Sequence, residues 1–342
     1  MSDISIRTVG PVGRITLTRP KALNAVTYDM CMAIEAALDQ WRDDDAISCV
    51  VMDAVGDKAF SAGGDIADLY KTGKAGDFAF GRTFWRDEYR MNAKIHNYPK
   101  PIVSFLQGFT MGGGMGVGCH GSHRVVGETS QIAMPECGIG LVPDVGGSMI
   151  LANAPGALGI YAGLTGARMT AGDAITLGFA DMYIPQDKWP TLIETLEQSG
   201  DPSCLAAESE AAPSGQMSAL APEINAHFSA ATLPDLLASL RADRGEFAVG
   251  ALKTLLRTSP LSASYTIWML QQLRGETDIR AALDLEYRFT FRAMEHGDFI
   301  EGIRAAIIDK DRNPNWKHDH DAVPGDVLDL MRAPLGDAAL TF

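Results

Sequence analysis

Seven glycines fall between Gly108 and Gly121, three of them consecutive at Gly112-Gly113-Gly114, directly after the mainly apolar run Ile102–Leu106. Each glycine costs a helix interior about 1 kcal/mol relative to alanine, so propensity alone forbids a helix here. The density points instead to backbone that must approach another backbone or a ligand closely, with N–H groups at a helix start free to face an oxygen. A flexible loop is the alternative reading. The borders argue against it, because they are apolar Phe109, Met111, Met115 and Val117 rather than Ser, Asn or Asp.

The run sits in a chain that alternates strands with helices. Strand patterns occur at Ile4–Val9, Arg14–Thr18, Cys49–Asp53 and Ile102–Leu106, and a helical pattern runs from Tyr28 to Asp43 with Thr27 as its N-cap. Interleaving of this kind implies βαβ units and parallel pairing, an α/β class. From Pro190 to Pro222 the composition turns to Pro, Ser, Ala and Glu, read as a surface excursion or short helices. Beyond it Leu233–Ala242, Phe247–Arg257, Ala263–Arg274, Asp278–His296 and Phe299–Ile308 carry helical spacing, so the C-terminal third is mostly α. No repeat of fixed period is visible.

Two further glycine-rich places follow the same logic. Ala59-Phe60-Ser61-Ala62-Gly63-Gly64-Asp65-Ile66 links the strand Cys49–Asp53 to a helical segment opening at Ala67. The other, Met134-Pro135-Glu136-Cys137-Gly138-Ile139-Gly140-Leu141-Val142-Pro143-Asp144-Val145-Gly146-Gly147, sets two carboxylates eight residues apart in nearly apolar surroundings. Burial raises a carboxyl pKa, which suits proton transfer near neutral pH. The structural alternatives are that Glu136 caps a helix and Asp144 opens a glycine turn.

Composition narrows the partners. With 29 Lys+Arg against 43 Asp+Glu the formal charge is −14, and no basic run of five exists, which argues against nucleic acid and anionic membrane surfaces. No stretch of about 18 apolar residues predicts a membrane span. Cys31, Cys49, Cys119, Cys137 and Cys204 are odd in number and form no C-x-x-C pair, so neither a disulfide framework nor a metal site is expected. The expectation is a cytoplasmic protein.

Two motifs resemble familiar sites without their context. Gly116-Val117-Gly118-Cys119-His120-Gly121 matches the G-x-G-x-x-G pattern of dinucleotide-binding folds, with Glu136 twenty residues on, but Gly116 lies ten residues past the strand instead of in the turn that ends it. Ala59-Phe60-Ser61-Ala62-Gly63 is one residue short of the G-x-S-x-G serine elbow, and His227, His296, His318 and His320 stand in no distinctive context.

Four ordered motifs carry a more specific signal. Arg19-Pro20-Lys21-Ala22-Leu23-Asn24-Ala25, the Ala59–Ile66 segment, the Gly112–Gly114 triplet and Met134-Pro135-Glu136 together resemble the crotonase superfamily of acyl-CoA enzymes. Pro143-Asp144-Val145-Gly146-Gly147 and the late Ile308-Asp309-Lys310-Asp311-Arg312-Asn313-Pro314-Asn315-Trp316 are similar to its 3-hydroxyisobutyryl-CoA hydrolase branch, as is the helical region around Asp284-Leu285-Glu286-Tyr287-Arg288.

The resemblance implies a spiral of ββα turns over residues 1–190, and a mostly helical region, 191–342, that completes and covers an acyl-CoA site. It implies that the amides of Gly64 and Gly113 receive the thioester oxygen. Donors fixed where charge builds stabilise such transition states by about 3–4 kcal/mol each. Glu136 and Asp144 are the implied catalytic pair. A hydratase of this superfamily would carry its first glutamate two residues after the triplet, where this chain has Gly116. Glu88 matches a substrate-contacting position, a solvated helix charge being its plainer reading. Lys21, Ala22 and Asn24 are implied at the nucleotide end of CoA, and Ala62, Gly64, Asp65 and Ile66 along the pantetheine. The expected activity is hydrolysis of short 3-hydroxyacyl-CoA thioesters, with no cofactor beyond the CoA of the substrate and no metal. An enoyl-CoA hydratase or isomerase and a non-catalytic acyl-CoA binder are the alternatives, and a homo-oligomer is compatible with the sequence.

Overall fold

The computed structural model describes residues 3–342. The chain divides into two compact units: residues up to Asp65 with Asp87–Ala133 and Arg168–Ser218, and Ile66–Arg86 with Met134–Ala167 and Ala219–Phe342. Every described strand belongs to the first unit.

Two sheets form that unit. The larger takes β1 (Ile4–Val9), β2 (Val12–Leu17), β3 (Cys49–Ala54), β5 (Ile102–Phe105), β7 (His123–Val126) and β9 (Met182–Tyr183), and the smaller takes β4 (Ala59–Ser61), β6 (Phe109–Met111) and β8 (Gln131–Ala133). Only β1 and β2 pair antiparallel, from Ile4 opposite Leu17 to Val9 opposite Val12; the remaining pairs are parallel, as interleaved helices require. The successive pairs β3–β4, β5–β6 and β7–β8 each send their first strand to the larger sheet and their second to the smaller. That is the expected winding of strand–strand–helix turns, legible in topology although no fixed period marks it in sequence.

Local signals explain most boundaries. The helix Tyr28–Arg42 starts where Thr27 accepts a hydrogen bond from the Met30 N–H, a cap that contributes about 1 kcal/mol. Its apolar side buries Met30, Cys31, Ile34, Leu38 and Trp41. One expectation resolves between its alternatives and one needs correction. The segment after Pro190 takes the short-helix reading. Trp189–Ser199 is a helix in which Pro190 occupies a first-turn position that needs no N–H, and Trp189, Leu192 and Leu196 bury at i, i+3, i+7 among Val51, Val103, Phe105 and Val125. Burial of each large apolar side chain there contributes about 1.5–3 kcal/mol.

The correction concerns the glycine run, where Gly113–Gly118 is helical despite its propensity. Tertiary contact decides this. A Cβ on Gly114 would lie 2.6 Å from Ser61 Cβ, and one on Gly118 would lie 2.6 Å from Leu106 Cδ2 and 2.7 Å from Phe60. The helix packs with no side-chain layer at these points, so only glycine fits. Gly112, before it, has φ of 46°, in the left-handed region.

Among the described residues, the regular secondary structure of the second unit is helical. Leu233–Ala242 is capped by Thr232, Pro260–Gln272 by Ser259 and Ile279–Ala293 by Asp278. The expected helix Phe299–Ile308 stops being α-helical at Ile303 and continues as a π turn, Arg304–Ile308. Arg304 gathers Glu301, Asp309 and Asp311 there, which bends the backbone around one guanidinium. No described helix is long and apolar enough to cross a membrane.

Candidate active site

In the first unit, β4 delivers Ala62-Gly63-Gly64 and β6 delivers the glycine helix, two neighbouring strands each ending in a glycine turn. The Gly64 segment is held by Ala62 N–H to Leu23 O, Val26 N–H to Gly63 O and Asp65 N–H to Val26 O, so the amides on either side of Gly64 are occupied. No described backbone or side-chain acceptor takes the N–H of Gly64 or of Gly113, the latter being the first residue of its helix, where N–H groups lack an intrahelical partner. The two meet: a methyl carbon placed on Gly113 would stand 3.1 Å from Gly64 N. Two converging, unused N–H groups can receive one oxygen that becomes negative during reaction.

Glu88 joins them. It lies on the helix Phe78–His96 and is buried, and its Oε1 would be 2.9 Å from that same Gly113 methyl position. The reading of Glu88 as a solvated helix charge is therefore overturned. Its neighbour Asp87, also buried, accepts from the Tyr28 hydroxyl at 2.7 Å.

The residues expected at the nucleotide end divide. Lys21 and Ala22 are exposed in the short turn Pro20–Ala22, and Lys21 lines a cavity of about 410 Å³ with Asn24, Val55, Gly56, Asp57 and Lys58. Asn24 is 1% exposed, and its side chain is committed to backbone, accepting from Arg19 N–H and donating to the carbonyls of Val55 and Ala59. It joins the Arg19–Ala25 turn to the chain around β4. Asp65 pairs with Arg19 at 3.1 Å, and Ile66 directly precedes the helix Ala67–Lys74.

The carboxylates occupy the second unit. Glu136 opens the short helical turn Glu136–Ile139 without capping it, and its Oε2 is buried with no hydrogen-bond partner among the described residues. Burial, then the charge of Asp144, then that of Glu286 push the Glu136 carboxyl well above the usual carboxylate range. Asp144 is likewise buried, and its carbonyl accepts from Gly147 N–H, so it does open a turn. That turn holds Val145 at φ 51°, a conformation β-branched residues rarely adopt and one that costs on the order of 1–3 kcal/mol. Sequence reasoning missed a third carboxyl. Glu286, fully buried on the helix Ile279–Ala293, accepts from Gly146 N–H at 2.9 Å, Ser148 N–H at 3.3 Å and the Ser148 hydroxyl. The only signal for it was an acid at the inward position between Leu283 and Tyr287, read there as part of a helical region.

Burial first and Asp144 second push Glu286 up to about 8, from an ordinary 4.5. The native protein then holds a proton that the unfolded chain has lost between about 4.5 and about 8, so this group's contribution to stability falls as pH rises across that window. The melting temperature of the wild type is expected to drop more steeply from pH 5 to pH 8.5 than that of Glu286→Gln, which cannot titrate. Parallel slopes would mean that Glu286 is ionised throughout.

The two motifs without context lose their readings. Gly116 is buried inside a helix instead of in a strand-ending turn, and Ser61 is fully buried with its hydroxyl turned to the Gly63 backbone. His227 bonds Ser239 and Asp243, while His320 bonds the carbonyls of Leu255 and Thr258. Among the described residues no cluster of His, Cys, Asp or Glu is arranged to hold a metal ion.

Residues 12–329 match the enoyl-CoA hydratase/isomerase family model. Proteins named 3-hydroxyisobutyryl-CoA hydrolase, mitochondrial, are similar over most of their length. The one from Xenopus tropicalis is 37% identical over 97% of this chain and 89% of its own, and the one from Homo sapiens 36% identical over 98% and 88%. Among solved structures, an enoyl-CoA hydratase from Rhodobacter sphaeroides 2.4.1 superposes with a TM-score of 0.95 at 55% identity over all of both chains. A carnitinyl-CoA dehydratase from Mycobacterium thermoresistibile gives 0.95 at 38%, over all of this chain and 99% of that one.

Proposed function

Since this chain belongs to the enoyl-CoA hydratase/isomerase family, we propose that it is the hydrolytic variant of that acyl-CoA chemistry, a thioesterase for short 3-hydroxyacyl-CoA with 3-hydroxyisobutyryl-CoA as its preferred substrate. One observation carries the reading. Gly116 stands where a hydratase would present its first glutamate, whereas Glu136 is retained and joined by a second buried carboxylate, Asp144.

In this reading the thioester oxygen lies on the N–H groups of Gly64 and Gly113, and the 3-hydroxyl donates to the Glu88 carboxylate. Glu136 supplies the basic oxygen, either taking a proton from water as that water adds to the carbonyl carbon, or adding directly to give an anhydride that water opens. Both routes break the C–S bond, release CoA as its thiol and return Glu136 to its starting state. Asp144 keeps its neighbour basic, because two nearby carboxylates resist double ionisation. Lys21 is assigned to the nucleotide phosphates as an exposed contact worth little by itself. The product acid is the one expected from valine breakdown.

A second reading, enoyl-CoA hydratase, draws on the name of the 55% identical structure and on Glu88, whose buried carboxylate beside Gly113 provides a second glutamate from elsewhere in the chain. Thiol release from 3-hydroxyisobutyryl-CoA and loss of enoyl absorbance from crotonyl-CoA, followed in parallel on one preparation, separate the two. The expected result is rapid thiol release with enoyl loss near background. Fast enoyl loss without thiol would install the hydratase in its place.

A further inference from the structure

We propose that Glu286 is a positioning residue that fixes the Asp144 turn by accepting hydrogen bonds from its Gly146 and Ser148. That Asp144 then serves catalysis rests on the hydrolase reading; that Glu286 holds the turn does not. The turn Asp144-Val145-Gly146-Gly147-Ser148 needs a tether, because Val145 at φ 51° and Gly146 at φ 81° place two consecutive residues in the left-handed region. Left to itself such a backbone relaxes toward the commoner conformations.

Glu286 supplies that tether from 140 residues away in sequence. Its Oε2 accepts from Gly146 N–H, and its Oε1 from the Ser148 N–H and hydroxyl. All these donors are buried, and leaving them unmet would carry the full desolvation penalty. The choice of a carboxyl is specific. It is the one short side chain with an acceptor on each arm of a fork, so a single group spans donors two residues apart. Glu286 also faces Asp144 closely enough for their charges to interact, and Glu136 feels it as well. The group that holds the turn therefore belongs to the electrostatics of the carboxylate pair.

The test combines kinetics with amide exchange across residues 141–150. In Glu286→Leu the two backbone donors lose their acceptor. Exchange at Gly146 and Ser148 should accelerate at least about tenfold, kcat should fall about tenfold or more through displacement of Asp144, and KM should stay within about twofold. Glu286→Gln should recover at least about a third of the lost kcat, since its carbonyl oxygen can accept from Gly146 and its amide can donate to the Ser148 hydroxyl. Wild-type kcat or wild-type exchange in a folded Glu286→Leu protein would overturn the proposal. If Glu286→Leu does not fold, Ser148→Ala decides. Loss of one hydroxyl should still speed exchange at Gly146, and an unaltered rate there would refute the tether. A wild type that releases no thiol from any acyl-CoA would remove the hydrolase reading and leave the exchange result to decide the tether.

Discussion

Glu136→Gln is expected to lower turnover of the thioester by at least about 100-fold, the lower bound of what a positioned base contributes. The substitution keeps size and polarity but leaves neither a basic nor a nucleophilic oxygen. The oxygen at stake is Oε2, buried and without a hydrogen-bond partner among the described residues. On the hydrolase reading Asp144→Asn should cost comparably, while KM should change little in both, the CoA moiety being the larger part of the proposed substrate. The pH dependence has a definite sign. Burial and the Asp144 charge hold the Glu136 proton beyond the usual carboxylate range, so activity should rise with pH through a limb above the ordinary 4.5. Residual activity in Asp144→Asn should show that limb at lower pH, since the like charge is gone, and the limb reports the pair as a unit. Full turnover in Glu136→Gln would remove it from the reaction.

Gly113→Ala should reduce turnover by about 100- to 1000-fold, the loss typical of one oxyanion donor. The variant retains its N–H, so the effect comes from space. The new methyl would lie 3.1 Å from Gly64 N and 2.9 Å from Glu88 Oε1, between the two donors that an oxygen must reach together. On the proposed reading every acyl chain should be affected alike, because all thioesters share the oxygen assigned to that point. Gly250→Ala is the matched control. It also adds a methyl to a helical glycine, but nothing lies within 4 Å of the new carbon, so the fold should gain up to about 1 kcal/mol with activity preserved. Circular dichroism on both variants separates a blocked site from an unfolded one. A folded, fully active Gly113→Ala enzyme would move the oxyanion position elsewhere.

The local signals of this chain were determined by neighbouring residues and could be read without a structure. Thr27 announces the helix at Tyr28 because a hydroxyl three residues ahead of an N–H can cap it, and the β-branched runs at Ile4–Val9 and Cys49–Asp53 mark strands to within a residue of where they form. The glycines at 113, 114 and 118 declared a close approach of backbone, and the two apolar-flanked acids declared burial. What they approach was not declared. Propensity, which sums local costs, ruled out a helix at Gly113–Gly118, whereas contact with Ser61, Phe60 and Leu106 enforces one. That the Asn24 amide is taken up by backbone of distant turns is likewise not written locally. Glu286 lay unnoticed because a helical acid carries no mark of its partners, and its three donors come from the Gly146–Ser148 turn far earlier in the chain. Capping, periodicity and chain flexibility act over a few residues and are written locally, whereas desolvation and charge coupling depend on which distant groups exclude water together, and only the folded chain decides that.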